Sequence, residues 1–184
     1  DGDLDISVTT SYGLYYYYNT DGQGTFGVKQ TIIDYPYGCA SLKIADFDND
    51  GNKDLFISSG IVKRPTDMDY IRFVSNLYMK PAATRTDEYD NLALNQMPDG
   101  SSHPFLFKGS GNLSFTDMSE SWGSKKLKGY FNGASYADFD NDSNLDLVMN
   151  CINAPAVILR NNASGNHAVS VSFKGKGLNT IGIG

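Results

Sequence analysis

Eight aspartates, set in two matching stretches, carry the chemistry open to this chain. In residues 45–55 they are Asp46, Asp48, Asp50 and Asp54; in residues 137–147 they are Asp138, Asp140, Asp142 and Asp146. Counted from the first aspartate of each stretch, they occupy positions 1, 3, 5 and 9. Four carboxylates packed so closely repel one another unless a cation sits between them. Alternate spacing lets a curled loop aim them at one centre, with the backbone carbonyl of position 7 (Asn52 or Asn144) as a further ligand. Hard oxygen ligands in that number suit Ca2+ better than any softer metal. Calcium is therefore the expected cofactor, at two sites at least.

The spacing also excludes one kind of calcium loop. An EF-hand needs a bidentate Glu at position 12 and a helix on either side. Position 12 is Ile57 in one stretch and Met149 in the other, and neither ligates calcium. Leu55-Phe56-Ile57 and Leu147-Val148-Met149 are short apolar runs, the first stopped by Ser58-Ser59-Gly60. Such runs read as buried strands. Each loop is expected to join two strands, so that the metal pins a β-turn.

A partial third copy opens the chain. Asp1-Gly2-Asp3-Leu4-Asp5 aligns with Asp50-Gly51-Asn52-Lys53-Asp54, which makes Asp1 a position 5 and Asp5 a position 9. The chain starts inside a motif and is expected to be part of something longer, so the lack of a leader carries no weight. A strand, a Gly-rich turn and the start of a return strand follow the loops as a second repeat. It is read at residues 14–26, again at 105–115 and more loosely at 157–167. A loop plus a hairpin makes a four-stranded unit with a period of about fifty residues, the size of a propeller blade. The expected fold is all-β, a β-propeller fragment of about three blades. Extra sequence over residues 62–104 reads as a partly helical insertion in the second blade. There Thr66 is the expected cap of a helix that lines up Tyr70, Phe73, Val74, Leu77 and Tyr78. A second short helix is expected from Glu88 to Gln96.

Composition narrows the function. The formal net charge is −6, and the three loop copies hold 11 of the 21 acidic residues. Lys and Arg are scattered and form no basic stripe, which disfavours nucleic acid as a partner. No direct membrane insertion is visible. Cys39 and Cys151 fall at non-equivalent repeat positions and read as free thiols rather than a disulfide framework. Three glycan sequons begin at Asn112, Asn141 and Asn162. Loops of this kind work at the high calcium found outside the cytosol, so an extracellular or cell-surface location is expected. His103 and His167 are the only histidines, and both read as surface or packing residues. No catalytic residue is assigned. Tyr15-Tyr16-Tyr17-Tyr18 puts two rings on each sheet face, where a solvent-facing pair would suit a glycan. Trp122 fits either core or surface.

The Asp-Phe-Asp-x-Asp-Gly-x-x-Asp-Leu loop, followed by a Gly-rich hairpin ending in Phe, resembles the FG-GAP/VCBS repeat, the blade unit of integrin-α-type propellers. Residues 37–41 and 131–135 stand where that family has its Phe-Gly segment. Residues 165–184 resemble the start of an ASPIC/UnbV domain. The resemblance implies propeller blades over 1–164. It also implies calcium ligation by Asp46, Asp48, Asp50 and Asp54 with Asn52, and by Asp138, Asp140, Asp142 and Asp146 with Asn144. Adhesion to, or recognition of, extracellular protein or glycan is the implied role, with further blades or neighbouring chains closing the ring. The alternative is part of a secreted glycan-degrading enzyme or glycan-binding protein whose active site lies in other blades. Position 6 departs from the pattern in one loop, being Gly51 in the first and Ser143 in the second. If the turn needs positive φ, the second site is expected to be the weaker.

Overall fold

The computed structural model describes residues 4–10, 13–34, 39–79, 87–112, 114–164, 171 and 174–175. Among them are four antiparallel sheets and two α-helices. The first sheet holds β1 (Ile6–Thr10), β2 (Gly13–Tyr17) and β3 (Gln30–Asp34) in sequence order. The second holds β4 (Cys39–Ala45), β5 (Asp54–Ser59), β8 (Phe105–Gly109) and β9 (Phe115–Asp117). The third holds β10 (Phe131–Ala137), β11 (Asp146–Cys151) and β12 (Ala154–Leu159). Among the described residues one four-stranded sheet is thus flanked by two three-stranded ones, where four strands apiece were expected.

Alternation along the middle sheet explains the stacking. Successive side chains of a strand point to opposite faces, so an apolar run with no polar break is buried on both. Leu55 and Ile57 of β5 join Phe105 and Phe107 of β8 in a core that takes Leu14 from the first sheet. Phe56 and Leu106, one residue out of phase, face the other way and pack with Phe131, Leu147 and Met149 of the third sheet. Phe56 is fully buried, and burial of such a side chain contributes about 1.5–3 kcal/mol. The expectation of buried strands flanking the loops is met most fully in β5, which is buried from end to end. In the third sheet Val148 pairs with Ile158, and Ile158 is 66% exposed. That face has no cover among the described residues.

Between β5 and β8 the chain leaves the sheet. β6 (Ile61–Lys63) and β7 (Asp99–Gly100) form a short ribbon, and α1 (Met68–Tyr78) and α2 (Asp87–Gln96) lie between them in sequence. The helix cap is Asp67, not Thr66: its carboxylate accepts from the backbone N–H groups of Asp69 and Tyr70. A carboxylate at the helix start also meets the positive end of the helix dipole. Of the expected apolar face, Leu77 is buried, Tyr70, Phe73 and Val74 are half-buried, and Tyr78 is exposed. Tyr78 donates to Asp90 of α2 at 3.0 Å. No described helix is long and apolar enough to cross a membrane.

Candidate metal centre

Both aspartate loops join the first two strands of a sheet, β4 to β5 and β10 to β11. Their internal hydrogen bonds repeat position by position. Asp46 accepts from the N–H groups of Asp50 and Gly51 at 3.1 and 2.9 Å, and Asp138 accepts from Asp142 and Ser143 at 3.1 and 2.9 Å. Asp50 takes the N–H of Asn52 at 2.8 Å, and Asp142 takes that of Asn144 at 2.9 Å. The curl needs left-handed backbone at position 4, where Asn49 and Asn141 have φ of 58° and 60°. Asn tolerates that region better than most residues. Position 6 is left-handed too, with φ of 91° at Gly51 and 71° at Ser143. The condition attached to the Gly51/Ser143 difference is therefore met.

The curl gathers the carboxylates. Oxygens of Asp46, Asp48 and Asp50 lie within 4.8 Å of one another, as do those of Asp138, Asp140 and Asp146. Asp54 and Asp142 fall outside these triplets. Either cluster can hold a metal ion, and its all-oxygen donor set fits a hard cation rather than a soft one. Asp1 lies outside the described residues, so its part in a third site has no structural counterpart here.

Position 9 does something the spacing did not reveal. Asp54 is fully buried, and its two oxygens accept from the N–H groups of Phe47 (2.8 Å) and Gly109 (2.9 Å). Asp146 accepts from Phe139 (3.0 Å) and Asn161 (2.8 Å) in the same way. Asp5 of the partial copy accepts from Asn19 at 2.8 Å and from the Tyr16 hydroxyl at 2.5 Å. Three equivalent aspartates thus tie the start of one strand to the end of the next strand in its sheet. Burial pushes the Asp54 carboxyl above its ordinary range, against the pull of its two N–H donors. The Tyr16 hydroxyl, and then the Asn19 N–H, hold Asp5 below the usual carboxylate range.

Each loop also faces a basic side chain at the end of the next strand of its sheet, Lys108 within β8 and Arg160 directly after β12. The Lys108 ammonium contacts Asp48 and lies 2.6 Å from Asp50. The Arg160 guanidinium lies 2.6 Å from Asp140 and 3.5 Å from Asp142. Hydrogen bonds donated to Asp48 and Asp50 push Lys108 well above the usual ammonium range, and Lys108 in turn lowers Asp50. A positive charge standing at the carboxylates is what the donor set calls for. Reading Lys and Arg as scattered missed both residues, although the hairpin alignment places Lys108 opposite Arg160. Gly111, in the hairpin turn beyond Lys108, has φ of 77°, and a Cβ there would sit 2.6 Å from the Asn52 amide oxygen.

The two loops touch. Asn49 donates to the side chain of Asn144, and the Asn161 amide donates to the carbonyls of Phe47 (2.6 Å) and Leu145 (3.2 Å), one in each loop. Other candidates are placed more plainly. The ring of His103 packs on Phe105 with centroids 4.0 Å apart, while His167 lies outside the described residues. Tyr15, Tyr16, Tyr17 and Tyr18 are all half-buried, so no fully exposed pair forms. Trp122 is half-buried against the core between the second and third sheets. Cys151 is a half-buried free thiol, and the side chain of Cys39 lies outside the described set. So does most of 165–184.

No curated protein and no solved structure matches the chain. A protein family described as FG-GAP-like repeat does match, over residues 1–57, a span that takes in the first sheet, the first complete aspartate loop and most of β5. Residues 1–57 carry an FG-GAP-like repeat.

Proposed function

We propose that this chain is a calcium-stiffened stretch of a β-propeller that works outside the cytosol as a non-enzymatic scaffold for recognition or adhesion. One observation supports it above the rest. Two loops far apart in sequence share one hydrogen-bond pattern, and each gathers three carboxylates where two strands of a stacked sheet meet. FG-GAP repeats often bind calcium, and residues 1–57 carry such a repeat. Asp46, Asp48 and Asp50 would hold one ion with Asp54 and the Asn52 carbonyl. Asp138, Asp140 and Asp146 would hold the other with Asp142 and the Asn144 carbonyl. The ion would supply charge neutralisation and a rigid turn. In the same reading the three stacked sheets are blades, residues 165–184 open an ASPIC/UnbV-like segment, and the partner is an extracellular protein or glycan.

Thermal unfolding with calcium, and with magnesium as control, tests the proposal. Calcium at about a hundred times its dissociation constant stabilises a one-site protein by roughly 2.7 kcal/mol. An upward shift in Tm with calcium and not with magnesium is the expected result. No shift after thorough stripping of metal would remove the basis of the reading.

A further inference from the structure

We propose that Lys108 and Arg160 are tethered counter-cations: each neutralises its aspartate cluster while the loop is metal-free, and each is displaced when calcium binds. The inference rests on the calcium reading above and goes beyond it, because it says what sets the affinity.

Three observations carry it. First, the two residues occupy the same place in the repeat. Lys108 directly precedes Gly109, whose N–H binds Asp54, and Arg160 directly precedes Asn161, whose N–H binds Asp146. The backbone clamp at position 9 therefore delivers a basic residue to each cluster by the same geometry. Second, each spans two carboxylates of its own loop, at positions 3 and 5 in both cases. Third, neither is locked in. The Lys108 side chain is 35% exposed and that of Arg160 is 63% exposed. Arg160 and Asp48 also line a cleft of about 290 Å³ between the second and third sheets. A displaced head group has water to enter.

The physical consequence is a threshold. Unpaired, three gathered carboxylates would repel one another strongly and unwind the loop. A covalently attached cation removes part of that repulsion without any ion from solution. Because it is tethered to the same sheet, it is always at hand and must be displaced before calcium can bind, which raises the calcium concentration needed. Lys108 and Arg160 thus keep the loops folded at low calcium while weakening their hold on the ion, which moves half-saturation toward the weak end of the calcium range.

The test uses the whole chain, with calcium chloride as the probe. Lys108→Met and Arg160→Met are each compared with wild type by isothermal titration calorimetry, alongside metal-free melting curves. Each variant is expected to bind calcium at its own site at least about tenfold more tightly, which is about 1.4 kcal/mol, and to melt at a lower temperature without metal. Lys108→Arg, which keeps the charge, should restore the wild-type affinity. Unchanged or weakened binding in the Met variants, with wild type still binding, overturns the inference and leaves the calcium reading intact. Absence of binding in every protein overturns both. Should the Met variants fail to fold, acylation of wild-type Lys108 by a water-soluble active ester, read by mass spectrometry, decides the matter. Calcium should speed that labelling several-fold, and an unchanged rate overturns the inference.

Discussion

Asn49 in the first aspartate loop donates its side-chain amide to the side-chain oxygen of Asn144 in the second, at 2.8 Å. The residues are 95 apart in sequence and belong to loops of different sheets. Asn161 reinforces the link by bridging the Phe47 and Leu145 carbonyls. The two candidate metal loops are therefore one structural unit.

Asn161→Ala is expected to weaken that unit more than Asn49→Ala. Removing the Asn161 amide leaves two part-buried carbonyls without this donor, and an unmet buried polar group costs about 1–3 kcal/mol. Asn49→Ala breaks one amide–amide bond, worth about 1 kcal/mol. Urea midpoints measured in metal-free buffer check the order. Equal midpoints would show that the bridge contributes nothing beyond the amide pair.

Asp54→Ala should be among the most damaging single changes in the chain, even without calcium. It orphans the N–H groups of Phe47 and Gly109, both in buried hydrogen bonds, at a combined cost of about 3 kcal/mol or more. Asp48→Ala loses the contact to a half-exposed Lys108 and an exposed bond from the Asp50 N–H (3.2 Å), and relieves repulsion within the cluster, so metal-free stability should fall far less than in Asp54→Ala, by about 1 kcal/mol or less. Chemical denaturation with a chelator present separates the two. Equal losses would mean that Asp54 acts only as a potential metal ligand.

Ser143→Gly is expected to stabilise the protein. Ser143 holds φ of 71°, a conformation that costs a non-glycine residue about 1 kcal/mol. A Cβ built on Gly51 at the matching position meets nothing within 4 Å, so the cost there is backbone strain rather than a clash. Gly51→Ala should accordingly lose about as much as Ser143→Gly gains. Paired urea titrations test the symmetry, and a loss of stability in Ser143→Gly would contradict it.

Periodicity and loop chemistry made much of this arrangement legible in the sequence. Leu55-Phe56-Ile57 reads as a strand buried on both faces because nothing polar interrupts it, and β5 is such a strand. The positive φ at position 6 was legible because Gly51 marks it. What stayed hidden lies where one side chain has two acceptor atoms. Asp54 reads as a ligand by its spacing, yet both its oxygens hold backbone N–H groups, one of them from Gly109 beyond a long insertion. The helix cap was displaced by one residue because Thr66 and Asp67 are both good caps, and only the backbone direction decides between them. Lys108 and Arg160 escaped notice because charge was weighed along the chain, whereas their partners come from a loop on the neighbouring strand.

Asp99 gives the fold a contact that fails in strong acid. It stands in β7, where its carboxylate accepts from the hydroxyls of Ser101 and Tyr130, each at 2.6 Å. The Ser101 hydroxyl, then that of Tyr130, draws its pKa from 3.8 down to about 2. The depressed value fixes the sign: the ionised form is favoured by the fold, so this contact is fully present above pH 3.8 and is lost as pH falls through about 2. Tyr130 directly precedes β10, so the contact ties the β6–β7 ribbon to the entry of the third sheet. In Tyr130→Phe the Asp99 midpoint should rise partway toward 3.8 and stop short of it, because Ser101 still donates through its hydroxyl and its N–H. Carboxyl-carbon NMR titration of Asp99 reads the midpoint directly. A value near 3.8 in wild type would show that the Ser101–Asp99–Tyr130 bridge does not persist in solution.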